Sequence, residues 1–149
     1  MRIVKVIIVM LLSMVLFTGC SGCETPQTVY LIGEEYTFET IKVKLENDEA
    51  KEQFVLYYEV LAQDESTHYF SFTIINNTET LKNSNQFSYK DNLESEISFN
   101  ENGYYEFSNS KTFYISYKEA NEEVKNLIKD KNCSIELPIG TFTFLIEQN

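Results

Sequence analysis

Few side chains in this 149-residue chain could carry covalent chemistry: one imidazole, His68, and three thiols, Cys20, Cys23 and Cys133. A nucleophile activated by histidine would have to use His68, and no Gly-x-Ser-x-Gly elbow accompanies it. Its place at the start of an alternating segment reads as a rim residue rather than a general base. Carboxylates gather at Asp91, Glu94, Glu96, Glu101 and Glu106. The stretch 91–96 lacks the alternating oxygen ligands and mid-loop glycine of a calcium loop, so the cluster reads as solvated strand faces. A single histidine also gives zinc or copper little to bind. No catalytic residue, metal ligand or cofactor is assigned, and the chain reads as non-enzymatic.

One thiol stands in a distinctive place. Arg2 and Lys5 precede a run from Val6 to Phe17 that is apolar except for Ser13, and the small residues Thr18 and Gly19 end it just before Cys20. A charged n-region and a short apolar h-region are the parts of an export signal. The run falls short of the roughly 20 residues a bilayer-spanning helix needs. Leu16-Phe17-Thr18-Gly19-Cys20 resembles the lipobox of bacterial lipoproteins, departing from it in having Phe17 where the family prefers leucine. The resemblance implies that Cys20 is diacylglycerylated and becomes the N-terminus after residues 1–19 are cut away. It also implies lipid anchoring on the outer, extracytoplasmic face of a bacterial cell membrane. Two acyl chains on one residue give durable attachment, at about 0.8 kcal/mol per buried methylene.

With Arg2 and Lys5 removed, ten basic residues face 23 acidic ones, a net charge of about −13. Such a domain is repelled by phosphates, which argues against nucleic acid as a partner, and by an anionic leaflet, which leaves attachment to the lipid on Cys20. Once Cys20 is acylated, Cys23 and Cys133 form a candidate disulfide in an exported protein. The rival reading is a free thiol on the tether and a Cys133 packed in a strand.

Residues 20–32 read as lipidated cysteine and tether, because Ser21-Gly22-Cys23-Glu24-Thr25-Pro26 shows no periodic pattern. Residues 33–149 read as a single acidic β-rich domain, expected to be a monomer. In the stretch 36–45, Tyr36 and Phe38 share one face and Ile41, Val43 and Leu45 the other, a change of phase that a β-bulge near Thr40 would reconcile. Asn47-Asp48-Glu49, followed by Phe54, Tyr57, Tyr58 and Leu61, predicts an amphipathic helix over 48–63. An alternating strand is expected over 68–75, a short one over 85–89, and a hairpin over 95–107 turned by Asn102-Gly103. A strand over 111–117 follows. Ala120, Val124, Leu127 and Ile128 then make the apolar stripe of a second helix over 119–131, with acids at its start and lysines at its end. Segments 133–137 and 142–146 close the chain as strands.

These elements predict an α+β fold: a small antiparallel, mostly β domain whose sheet curls or approaches a barrel, with one or two helices. The segment from Ile97 to Phe107 resembles the hairpin of bacterial lipocalin-like lipoprotein domains, although the chain lacks tryptophan altogether. Beyond the leader, ten Tyr and ten Phe supply either a packed core or an apolar cavity. The candidate cavity residues are Phe70, Phe72, Phe87, Tyr89, Tyr105, Phe107, Phe113 and Tyr117. The expected function is a membrane-anchored binding or accessory domain, holding a small apolar ligand if those rings line a cavity. If they fill a closed core, it is a structural or protein-interaction lipoprotein with an inhibitor-like or immunity role.

Overall fold

The structure, a computed structural model, describes residues 28–62, 66–75, 80–82, 86–129, 134–137 and 142–146. Two open five-stranded sheets share one core. The first has the order β1 (Val29–Leu31), β12 (Phe142–Leu145), β11 (Ser134–Leu137), β6 (Thr73–Ile75) and β7 (Thr80–Lys82). The second runs β2 (Glu35–Phe38), β3 (Ile41–Asp48), β4 (Gln53–Val60), β10 (Lys111–Ser116) and β8 (Ser88–Asp91). A two-stranded ribbon joins β5 (His68–Phe70) to β9 (Tyr105–Phe107). All pairings are antiparallel except β1 with β12. Among the described residues the fold is mostly β and antiparallel with a single α-helix, α1 (Glu122–Lys129), as expected, and neither sheet closes into a barrel.

The second sheet follows the pleat. Val43, Leu45, Phe54, Leu56, Tyr58, Phe113, Ile115 and Tyr89 point inward and are buried. Their alternate neighbours Lys42, Lys44, Glu46, Tyr57, Glu59, Thr112 and Tyr114 stand on the opposite face. Residues of both sheets and of α1 belong to the same buried cluster, including Phe144, Ile74, Val124 and Ile128.

Residues 48–63 are not a helix: a 3-10 turn at Glu49–Lys51 leads into β4, a central strand paired with both β3 and β10. Phe54, Tyr57, Tyr58 and Leu61 match a helical period only because Phe54-Val55-Leu56-Tyr57-Tyr58 is apolar at every position. Such a run suits a strand by propensity, and here Phe54, Leu56 and Tyr58 face the core while Tyr57 stands on the open face. Asp48 makes no side-chain cap; its carboxylate accepts from Gln53 Nε2 at 3.4 Å and pairs with Lys51, closing the β3–β4 hairpin. No bulge is needed near Thr40 either. Glu39 and Thr40 form a tight turn with Glu39 at φ +41, and Phe38 lies opposite Ile41, so the change of phase is a reversal of direction.

The expected strand over 68–75 is two strands in different sheets. The chain crosses between them at Ser71 and Phe72, and Phe70 through Ile74 are buried at every position. Ser71 Oγ is buried there without a hydrogen-bond partner, a penalty of about 1–3 kcal/mol. The strand expected over 85–89 runs instead over Ser88–Asp91. Val29–Leu31, assigned to the tether by sequence, is an edge strand.

The hairpin over 95–107 keeps its turn but not its ladder. Asn100 Oδ1 accepts the Asn102 and Tyr104 amides, and Gly103 sits at φ +77. β9 nevertheless pairs with β5, while Glu96 bridges to Lys90 and the Ile97 amide donates to the Tyr89 carbonyl. The cause is Asp91, which is buried rather than solvated. Its Oδ1 accepts the amides of Leu93 and Ser95 and turns the chain back along β8, where Phe99 packs on Tyr89.

Helix α1 is capped by Asn121, whose Oδ1 accepts the Val124 amide at 3.0 Å. Val124 and Ile128, one turn apart, face the core, and Lys125 pairs with Glu52 at 3.1 Å. The helix therefore covers the end of the fold at which the β3–β4 hairpin loop lies.

Candidate functional site

The eight aromatic residues expected to line a cavity are packed against one another. Seven are buried and Tyr105 is half-buried. Phe113 is the hub of one group, with ring centroids 4.5 Å from Phe70 and 5.1 Å from both Tyr105 and Phe107. Phe72 touches Phe87 and, through Phe54, reaches Tyr117. Edge and tilted contacts at these separations are those of a filled aromatic core.

Burial raises the hydroxyl pKa of Tyr117 to about 12, reinforced by the carboxylates of Glu49, Glu52 and Asp48, while Asn47 Oδ1 accepts its proton at 3.0 Å. Burial also raises that of Tyr89. Both hydroxyls stay protonated in the fold after they would ionise in the unfolded chain. Stability is thus undiminished below pH 10, the ordinary tyrosine value, and falls as pH rises from 10 through about 12. Each such tyrosine steepens the loss by up to about 1.4 kcal/mol per pH unit. Urea midpoints measured across that range should fall, and less steeply for Tyr117→Phe.

Concave surface lies outside the core, on the open face of the second sheet. A groove of about 560 Å³ is floored by Lys42, Lys44, Tyr57, Glu59 and Thr112. A second, of about 550 Å³, continues past Tyr57 over Val55 and Tyr114 toward Glu46 and Gln53. Tyr57, 40% exposed, stands between them. Its hydroxyl donates to Glu46 Oε2 at 3.2 Å, and Lys44 Nζ lies 5.7 Å from its ring centroid. Burial, then the Glu46 hydrogen bond, raises the Tyr57 pKa, and the Lys44 ammonium holds Glu46 below the usual carboxylate range. Lys42 bridges Glu35 and Glu59, and its pKa is raised chiefly by Glu59. These cross-strand pairs orient the long side chains and leave an aromatic ridge between two troughs.

The sequence suggested half of this face. Lys42 and Lys44 alternate with Val43 and Leu45, which puts them on the outside of a strand. Tyr57 and Tyr114 were missed as surface residues, Tyr57 because its segment read as helix.

His68 is half-buried at the rim of the ribbon: Nδ1 is 3.2 Å from the Tyr58 hydroxyl, Nε2 is 3.5 Å from Ser66 Oγ, and the ring lies beside Phe107. Among the described residues no group of three or more His, Cys, Asp or Glu is placed to hold a metal ion, and no helix is long and apolar enough to cross a membrane. Cys20, Cys23 and Cys133, the lipidation site and the candidate disulfide, lie outside the described residues.

Fold and site together define a small two-sheet β domain with a filled aromatic core and a grooved open sheet face. No protein-family model, curated protein or solved structure matches the chain.

Proposed function

We propose that the chain is a lipid-anchored, non-enzymatic interaction domain on the extracytoplasmic face of a bacterial membrane, engaging a protein partner through the open face of its second sheet. The observation that carries this reading is the Tyr57 ridge with a groove on either side. A tyrosine that presents a large rigid ring and a hydroxyl is the kind of side chain that anchors protein interfaces. The first groove carries Lys42, Lys44 and Lys111 against Glu35 and Glu59 in a domain of net charge about −13. These lysines are each paired with a carboxylate, Lys42 with Glu35 and Glu59, Lys44 with Glu46 and Lys111 with Asp91, so a neutral or mildly basic protein surface meets least repulsion there. The packing of Phe70, Phe72 and Phe113 on their neighbours favours a protein partner over a small apolar ligand held inside the domain.

Photo-cross-linking tests the assignment in the anchored, full-length protein. A cross-linking residue at position 57 or 112 should yield one defined protein adduct, and one at the exposed Tyr69 on the ribbon should yield none. Lys44→Ala should weaken the adduct at position 112. Equal labelling at position 69, or a stoichiometric small molecule seen by native mass spectrometry, would overturn the reading.

A further inference from the structure

We infer that the end of the domain at which the chain enters docks on the bilayer surface through Leu61 and Leu93, so that the domain is held in one orientation rather than swinging on its tether. The inference rests on the proposed lipid anchor at Cys20.

Register fixes which end this is. β12 starts at Phe142, whose ring lies 4.2 Å from Phe38 beside the Glu39-Thr40 turn. It runs toward Ile146, which shares a crevice with Asn47, Tyr117 and Ile128 at the opposite end. β1 is parallel to β12 with Val29 opposite Thr143, so the chain enters at the Glu39-Thr40 end. Eight residues, 21–28, separate Cys20 from β1. Even fully extended they span at most about 30 Å. A lipid on Cys20 therefore keeps this end, not the helix-covered one, next to the membrane.

The same end carries apolar side chains that the core does not use. Leu61 follows β4, its amide bonded to the Thr40 carbonyl, and is 47% exposed. Leu93, in the turn after β8, is 72% exposed. β4 and β8 flank β10 on its two sides, roughly 10 Å apart across the sheet, and because Asp91 and Leu56 lie level across Phe113, Leu61 reaches further toward the entry end than Leu93. Val29, 49% exposed, begins β1 at this end. Charge does not separate the two ends: at the far end Glu49, Glu52, Glu119, Glu122 and Glu123 stand among Lys51, Lys118, Lys125 and Lys129. The entry end is not basic, since Glu39 and Glu94 are exposed there, so the contact is apolar insertion at the headgroup boundary and does not require anionic lipid.

The absence of tryptophan makes the test direct. Full-length acylated Leu93→Trp and, as a control at the far end, Lys51→Trp are reconstituted in phosphatidylcholine vesicles containing lipids brominated near the glycerol end of the chain. Position 93 is expected to show blue-shifted emission and quenching, and position 51 neither. Adding Leu61→Asp to Leu93→Trp should reduce the quenching while the protein still floats with the vesicles. Water-like, unquenched emission at 93 in floating protein overturns docking and leaves the anchor standing. Equal quenching at 93 and 51 overturns the fixed orientation. Blue-shifted but unquenched emission at 93 overturns it in favour of a second copy of the chain covering that end. Protein that fails to float overturns the anchor and the docking together.

Discussion

Phe113→Ala is expected to destabilise the domain by about 4 kcal/mol, in the range found when a buried phenylalanine is cut to alanine. Phe113 is fully buried on β10, which lies between β4 and β8, and its ring meets Phe70, Tyr105 and Phe107. Removing it takes away the transfer free energy of the ring and leaves a void that three anchored strands cannot collapse around. Phe113→Leu retains most of the volume and should lose roughly 1–2 kcal/mol. The adjacent Tyr114 points to the open face, and Tyr114→Ala should fall within about 1 kcal/mol of wild type, although the two positions are equally embedded in backbone pairing. Urea unfolding followed by circular dichroism decides the matter, with unchanged m-values guarding against a changed denatured state. A loss at Phe113→Ala below about 1 kcal/mol would mean that these rings line removable space instead of filling it, and would return the ligand-cavity reading to favour.

That contrast between neighbouring residues also marks how far the sequence was legible. Alternation in Lys111-Thr112-Phe113-Tyr114-Ile115-Ser116 and in Ile41-Lys42-Val43-Lys44-Leu45 survives directly as inward and outward faces, because each strand is covered by a core on one side only. The body of helix α1 was readable from the paired acids and the Val124–Ile128 spacing, which act within one turn of chain, but the expected start at Glu119 is three residues early because Asn121 caps the helix and it begins at Glu122. Where the pattern misled, a long-range partner overruled a local signal. Asn47-Asp48-Glu49 has the makings of a helix start, but the residues after it find strands on both sides, and pairing along β4 outweighs a cap. Asn102-Gly103 does turn the chain, yet the strand that should precede it is drawn back along β8 by Asp91, two of whose hydrogen bonds span two and four residues. The pairing of β9 with β5 joins segments more than 30 residues apart, beyond the reach of any short-range pattern.

The candidate face was only half legible for the same reason. Lysines alternating with aliphatics announce an outer surface, but an exposed tyrosine on a strand looks no different in sequence from a buried one. Tyr57 and Tyr58 are adjacent and both aromatic, and only the register of β4 sends one to the groove and the other to the core. Sequence supplied the chemistry of the face, and pairing decided which rings belong to it.

Cys20→Ser is expected to move the protein from the membrane to the soluble fraction nearly completely, the largest functional effect of any single substitution. A serine hydroxyl cannot form the thioether through which the proposed diacylglyceryl group would be carried. The segment from Val6 to Phe17 is well short of the roughly 20 residues needed to hold a bilayer, and the domain's charge of about −13 is repelled by anionic lipid. The leucines of the entry end do not rescue attachment, because a few apolar side chains bury far fewer methylenes than two acyl chains, at about 0.8 kcal/mol each. Cys23→Ser should remain membrane-bound, which separates the proposed lipidation site from its neighbour three residues on. Carbonate-washed membranes assayed by immunoblot, with the mass of the N-terminal peptide read alongside, give both results. If Cys20→Ser is retained in washed membranes as wild type is, attachment does not run through this thiol, and the orientation inferred for Leu61 and Leu93 loses the tether that sets it.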